Sequence, residues 1–245
     1  MSTNTFAPAS FKGLTSNNAR KLKHGDTAIV VGAGAFGGWT ALYLLRSGIK
    51  TTLIDAWGAG NSRSSSGDET RVIRSTYGAN EFYFDLNVRA LTLWKEHQKS
   101  WNRQVFFNTG VLWLCHSEKC SLVDDSIPFS RKHKMEYEYV SKNDLEKRFN
   151  LVNPEDLHHG YFDPYGGYLK ARESMQLVQE TFVNEGGNYI NRIVSPGEKL
   201  DADTIIYACG SWLGSMFPKE IGNRITCSKQ ESVLLRSACG QSEGV

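Results

Sequence analysis

The chain has 245 residues, 40 % apolar and 22 % charged, which is enough for a real core in one large domain or two small ones and too apolar for a disordered chain. Its formal net charge of +2 is too near neutral to argue for nucleic acid or an anionic membrane as a partner, and no uninterrupted apolar run approaches the ~18 residues of a membrane span. Five cysteines (Cys115, Cys120, Cys209, Cys227 and Cys239), odd in number and without CxxC spacing, argue against a disulfide framework or a zinc site and for free thiols in a reducing compartment.

Residues 1–25 are rich in Ser, Thr and Asn, carry Lys12, Arg20, Lys21 and Lys23, and contain no acid. They are expected to be a disordered leader. They lack the apolar stretch of a secretory signal, while their composition leaves an organellar transit peptide open. Thr27 to Val31 is a short β-branched run that reads as a buried parallel strand, Trp39 to Arg46 reads as a helix stopped near Gly48, and Thr51 to Ile54 reads as a second strand ending at Asp55. Strand, helix and strand together have the length of a βαβ unit, about 30 residues. Gly58 to Gly67 is a polar loop. Asn80 to Gln98 has helical apolar spacing through Phe84, Val88, Leu91 and Trp94. Phe106 to Cys115 reads as a strand pair or a kinked strand, Met135 to Val140 as a strand, and a helix is expected from Ser141. Gly160 to Leu169 is a turn-rich strand region, Ala171 to Glu185 an amphipathic helix, and Ala202 to Cys209 a third buried strand.

Gly32-Ala33-Gly34-Ala35-Phe36-Gly37 is a GxGxxG sequence that follows a strand and opens a helix. The first glycine permits the tight turn, the second lets a pyrophosphate approach the backbone, and the third lets helix and strand pack closely. The helix N-terminus offers unpaired N–H groups to phosphate. Asp55, 18 residues past Gly37, stands where a carboxylate accepts the ribose hydroxyls and repels a 2′-phosphate. These features point to a dinucleotide. Asp55→Ala is expected to weaken its retention without unfolding the chain. The second strand leads into a Gly/Ser/Arg loop and not into the further βαβ repeats of a nicotinamide enzyme, which favours FAD. The late strand is followed by Cys209 and Gly210, a pattern similar to the second cofactor segment of FAD-binding oxidoreductases. An ordinary core strand with a turn glycine is the alternative. His116, His158 and His159 lack the spacing of a metal site.

The segment Asn61 to Gly78, with its small-residue run, its Thr70-Arg71-Val72-Ile73-Arg74 core and Tyr77-Gly78, is similar to the stretch after the second strand in the sarcosine oxidase branch of the D-amino acid oxidase superfamily. The match continues in Leu91–Trp94, Thr109–Trp113, Gly160–Gly167 and Ala208–Trp212, in the same order, across about residues 27 to 235. The sequence departs from that branch in having Ser65, Ser66 and Gly67 where many members carry histidine.

This resemblance implies an α/β fold: an FAD-binding Rossmann-like domain with a parallel core sheet, plus a smaller α+β substrate domain. Residues 26–100 and 165–222 would form the discontinuous FAD domain, and 101–164 and 223–245 an incomplete substrate domain, the chain being truncated at its C-terminus. Arg71 would sit beside the flavin ring and Arg74 would hold a substrate carboxylate, a task that suits a guanidinium fork. From residue types alone, the two could instead form a solvated basic face. Gly32, Gly34, Ala35, Phe36, Gly37, Asp55, Arg63, Ser65, Ser66, Thr70, Cys209 and Gly210 are the expected cofactor residues. The expected activity is FAD-dependent oxidation of a primary or secondary amine of an amino acid by hydride transfer to flavin, with oxygen as acceptor, no nucleic-acid or membrane partner, and a cytoplasmic location. The alternatives are a catalytically silent FAD-binding protein and a flavin dehydrogenase. The chain by itself is expected not to turn over an amine.

Overall fold

The computed structural model describes residues 21–228. Residues 1–20 of the expected leader, and residues 229–245 with Cys239, lie outside that range. Lys23 to Gly25 form a turn whose Gly25 N–H donates to the Gly48 carbonyl at 2.9 Å.

The expected βαβ unit is present as β1 (Thr27–Val31), α1 (Ala35–Arg46) and β2 (Lys50–Asp55). β1 and β2 run parallel, with Thr27 opposite Lys50 and Val31 opposite Ile54. After the polar loop comes β3 (Thr70–Ile73), which was not expected as a strand. Four residues with an arginine and a threonine among them carry too little periodicity to be read. α2 (Glu81–Ser100) is capped by the Asn80 side chain, which accepts the Tyr83 N–H. Phe106 to Cys115 divides into β4 (Phe106–Phe107) and β5 (Val111–Cys115), which enter different sheets. Two short helices follow, α3 (Ser121–Asp124) and α4 (Ile127–Lys132). Then come β6 (Glu138–Ser141) and α5 (Lys142–Arg148), the latter capped by Ser141, whose hydroxyl accepts the Asp144 N–H at 3.2 Å. The remaining elements are β7 (His159–Asp163), β8 (Gly167–Lys170), α6 (Ala171–Asn184), β9 (Asn188–Asn191), β10 (Thr204–Tyr207) and α7 (Leu213–Met216).

The parallel sheet has the order β10-β1-β2-β9. Strands near residues 27, 51 and 204 therefore share one sheet, as the spacing required. β9 adds a fourth strand, with Asn191 opposite Asp55. On one face, Val30 and Leu53 pack with Leu42 of α1, Trp94 of α2, and Val178 and Phe182 of α6. On the other, Val31 and Ile54 meet Val194, Leu200, Tyr207 and Met216. Val30, Leu42, Leu53 and Phe182 have no exposed surface. Each contributes about 1.5–3 kcal/mol of burial, so this sandwich is what holds the ends of the strands in place. Two antiparallel sheets complete the fold, β3-β8-β4 and β5-β7-β6.

Candidate cofactor and substrate site

β1, β2 and β10 run in parallel register, so their carboxyl ends open on one side of the sheet. A cavity of about 750 Å³ lies there. Open α/β sheets bind ligands in this position, beyond the carboxyl ends of the strands. Ten of the sequence-predicted residues border it: Gly32, Gly34, Ala35, Phe36, Asp55, Ser65, Ser66, Arg71, Cys209 and Gly210. Gly37, Arg63, Thr70 and Arg74 do not.

The glycine turn is built by close contact. Gly32 has φ +108°, and a Cβ there would stand 2.4 Å from the Ala208 carbonyl oxygen at the end of β10. A Cβ on Gly37 would stand 1.8 Å from the Gly32 oxygen. The first and third glycines therefore weld β1, α1 and β10 together, while Gly34, whose Cβ would meet only the Ser66 hydroxyl, leaves its face of the turn open to the cavity. α1 has no acidic residue in its first turn and no cap from Gly34. Its Ala35 N–H donates to Ser66 Oγ at 3.2 Å. A serine hydroxyl thus occupies part of the position where the helix end favours an anion.

Asp55 carries more structure than was expected. Its Oδ1 accepts the Trp57 and Gly58 N–H groups and its Oδ2 accepts the Ala33 N–H, all at 2.8 Å. One lone-pair direction on Oδ2 remains for a ribose hydroxyl. Trp57 and Trp212, which sequence reasoning missed, meet at the cavity wall with ring centroids 5.1 Å apart, and the Arg63 guanidinium lies 4.9 Å over Trp57. Their only signal was an aromatic residue just after each cofactor segment. The Cys209 thiol donates to the Val31 carbonyl at 3.6 Å, and burial, with the Asp55 charge added, raises its pKa. Thr70 begins β3 opposite Lys170, away from the cavity wall.

The two arginines are not one basic face. Arg71 reaches back to the loop: its Nε donates to the Ser65 carbonyl at 2.9 Å and its Nη1 to Asp68 Oδ2 at 2.6 Å. That bond holds the Asp68 carboxyl below its ordinary range. Arg74 lies the other way, its guanidinium 4.9 Å over the Tyr77 ring and 5.3 Å over the Trp113 ring of β5. Arg74 has no hydrogen bond or ion pair among the described residues. A cation stacked on aromatic faces with its donors unspent is prepared for an anion.

A parallel sheet with a glycine turn, a strand-end carboxylate and a cavity closed by a late strand defines an FAD-type dinucleotide-binding oxidoreductase fold. The chain belongs to the family described as DAO, FAD dependent oxidoreductase, which matches residues 27–242. It is 24 % identical over 205 residues to a monomeric sarcosine oxidase from Bacillus sp. (strain B-0618), covering 78 % of this chain and 53 % of that one. A modified fructosyl peptide oxidase from Aspergillus nidulans superposes with a TM-score of 0.66 at 21 % identity, covering 77 % of this chain and 51 % of that one. An L-proline dehydrogenase from P. horikoshii superposes with a TM-score of 0.65 at 16 % identity, covering 81 % and 57 %. The chain spans about half the length of the curated relatives it matches. Among the described residues, no helix is long and apolar enough to cross a membrane.

Proposed function

We propose that the protein oxidises a primary or secondary amine of an amino acid with FAD as cofactor and oxygen as the final acceptor, in the cytoplasm. The observation that carries the substrate class is Arg74, whose unpaired guanidinium rests on Tyr77 and Trp113 and suits a carboxylate held by two parallel hydrogen bonds. The residues of the cavity fit the cofactor. The bare Gly34 and the end of α1 would take the pyrophosphate, with the Ser66 hydroxyl yielding or sharing the Ala35 N–H. Asp55 would take a ribose hydroxyl on its remaining lone pair, and Ser65, Arg71, Cys209 and Gly210 would border the group. Bound FAD supplies the two-electron acceptor for the amine. Arg71, tied to Ser65 and Asp68, would contribute positive charge at the cavity wall, and Arg74 would set the substrate's orientation. The domain division belongs to the same proposal: residues 26–100 and 165–222 for the cofactor, 101–164 and 223–245 for the substrate. The parallel sheet supports it by drawing all four strands from the first set.

The test is peroxide formation with N-methyl amino acids by the longest expressible reading frame that contains this chain. Arg74→Ala is expected to lower kcat/KM by about 10- to 100-fold, the equivalent of one charge-assisted contact, while the flavin content of the purified protein stays the same. Equal activity of Arg74→Ala and the parent would remove the carboxylate role.

A further inference from the structure

The segment 60–67 lays Asn61, Ser64, Ser65 and Ser66 along one wall of the cavity. It contains no apolar side chain, so burial in the core does not place it and polar contacts must. Inside the loop, the Asn61 carbonyl accepts the Ser64 N–H at 3.1 Å and the Ser64 hydroxyl at 3.0 Å, and the Ser64 carbonyl accepts the Gly67 N–H at 3.0 Å. The loop offers two groups to the site. Ser66 Oγ accepts the Ala35 N–H at the end of α1, at 3.2 Å, and the Ser65 carbonyl accepts the Arg71 Nε–H at 2.9 Å.

Both ends of this loop converge on Arg172, the second residue of α6. Where the loop begins, Gly60 has φ +70°, and a Cβ there would stand 2.7 Å from the Arg172 carbonyl oxygen. Where it ends, the Gly67 carbonyl accepts two N–H groups of the Arg172 guanidinium, from Nε at 3.3 Å and from Nη2 at 3.2 Å. The Asp68 carbonyl accepts the backbone N–H of the same arginine at 3.0 Å. The helix itself gives no reason for an arginine at this position, because a cation in the first turn opposes the macrodipole. The acid of that turn, Glu173, is taken by Arg103 at 2.7 Å and Lys170 at 3.4 Å. The donors of Arg172 go to the loop instead. We infer that Arg172 is a positioning residue: it clasps residues 60–67 at both ends, and so holds Ser66 on the end of α1 and Ser65 on Arg71 as a preformed wall for the cofactor. Such preorganisation raises affinity by sparing the ligand the cost of ordering the loop. The cofactor at this wall rests on the proposed function, whereas the placing of the loop does not.

The experiment uses this chain, without added cofactor for its first two readings. Hydrogen exchange of the Ala35 amide reports the Ser66 hydroxyl. Water exchange of the Arg71 Nε–H, in protein labelled with 15N-arginine and assigned by its loss in Arg71→Lys, reports the Ser65 carbonyl. Arg172→Met keeps the apolar stem and removes the fork. Glu173→Gln breaks the ion pairs in the same turn of α6 and leaves the loop contacts alone. Both signals are expected to exchange about 10-fold faster in Arg172→Met, roughly the loss of one hydrogen bond made by a charged group, and to keep the parent's rates in Glu173→Gln. Parent rates in Arg172→Met, or equal acceleration in Glu173→Gln, overturn the inference. Should Arg172→Met not fold, Arg172→Lys takes its place and is held to the same outcomes, since a single ammonium does not reproduce a planar fork. Fluorescence titration with FAD gives the third reading. The dissociation constant is expected to rise about 10-fold in Arg172→Met, and an unchanged constant overturns the inference. If the parent takes up no FAD while both exchange rates respond to Arg172→Met, the proposed cofactor site fails and the positioning of the loop stands.

Discussion

Asp55, proposed above to take a ribose hydroxyl, is already tied into the fold. Read along the chain, its carboxylate stood at a strand end with a ribose as its only partner. In the folded protein it already accepts three backbone N–H groups, from Ala33, Trp57 and Gly58. Asp55→Ala is therefore expected to cost stability as well as retention of FAD. The substitution leaves three donors without their acceptor, and water reaches this half-buried position only in part. The expected cost is about 1–3 kcal/mol of stability, together with weaker FAD retention. Asp55→Asn, which keeps one acceptor oxygen, should fall between the two. Urea melts of the three proteins check the order, and fluorescence titration with FAD checks the second effect. Arg71 and Arg74 make a related point. Three positions apart in sequence, they end in different surroundings, one paired with Asp68 and one on an aromatic floor.

At the scale of the element, α1 matters for how closely it can approach. Gly37 lies in the first turn of the helix, and the place of its missing Cβ is taken by the Gly32 carbonyl. Gly37→Ala would drive α1 away from β1 and from Ala208 of the late strand. The expected loss is about 1–3 kcal/mol from overpacking, with FAD affinity falling because the helix end moves with its N–H groups. Gly38→Ala is a fair comparison. Its Cβ would meet the Val178 methyl at 3.3 Å, which can give way, and the Ala33 carbonyl oxygen at 3.8 Å, an ordinary contact. Thermal melts should place Gly37→Ala well below Gly38→Ala, and equal melting temperatures would deny the packing role. The βαβ spacing made this helix legible, because the period of its apolar residues and its flanking strands are local. β3 and β9 were not legible: each is four residues long and is a strand only because a partner strand lies beside it.

For the molecule as a whole, stability should depend on pH through its buried histidines. His97 of α2 is nearly buried, its ring 4.6 Å from Trp39 and 5.3 Å from Trp101, with the Tyr43 hydroxyl 3.2 Å from its Nε2. Burial, reinforced by the Arg46 charge, lowers its pKa, and burial, with His158 beside it, lowers that of His159. The folded state then binds fewer protons than the unfolded state. The stability these residues contribute is complete above the unfolded value of about 6.5 and is lost as pH falls below it toward their depressed folded pKa values. Asp163 acts in the opposite sense at lower pH: its pKa is raised, so the folded state gains a proton first and is favoured as pH falls through that raised pKa toward about 4. Urea melts between pH 7.5 and 5 should show falling stability, and His97→Gln should reduce the slope. A slope unchanged by His97→Gln would assign the effect elsewhere.

What the residues determined by themselves was local: the glycine turn, the helix behind it, the strand-end acid and the family resemblance of the Thr70 to Arg74 core. Each needs only neighbours within about one βαβ unit, where backbone periodicity and turn chemistry dictate the geometry. Tertiary structure decided the rest. It laid Ala208 against Gly32, set Trp212 against Trp57 and put Trp113 under Arg74. Those pairs are separated by tens to more than a hundred residues. No local propensity encodes them, and only the packing of strands and helices around one core brings them into contact.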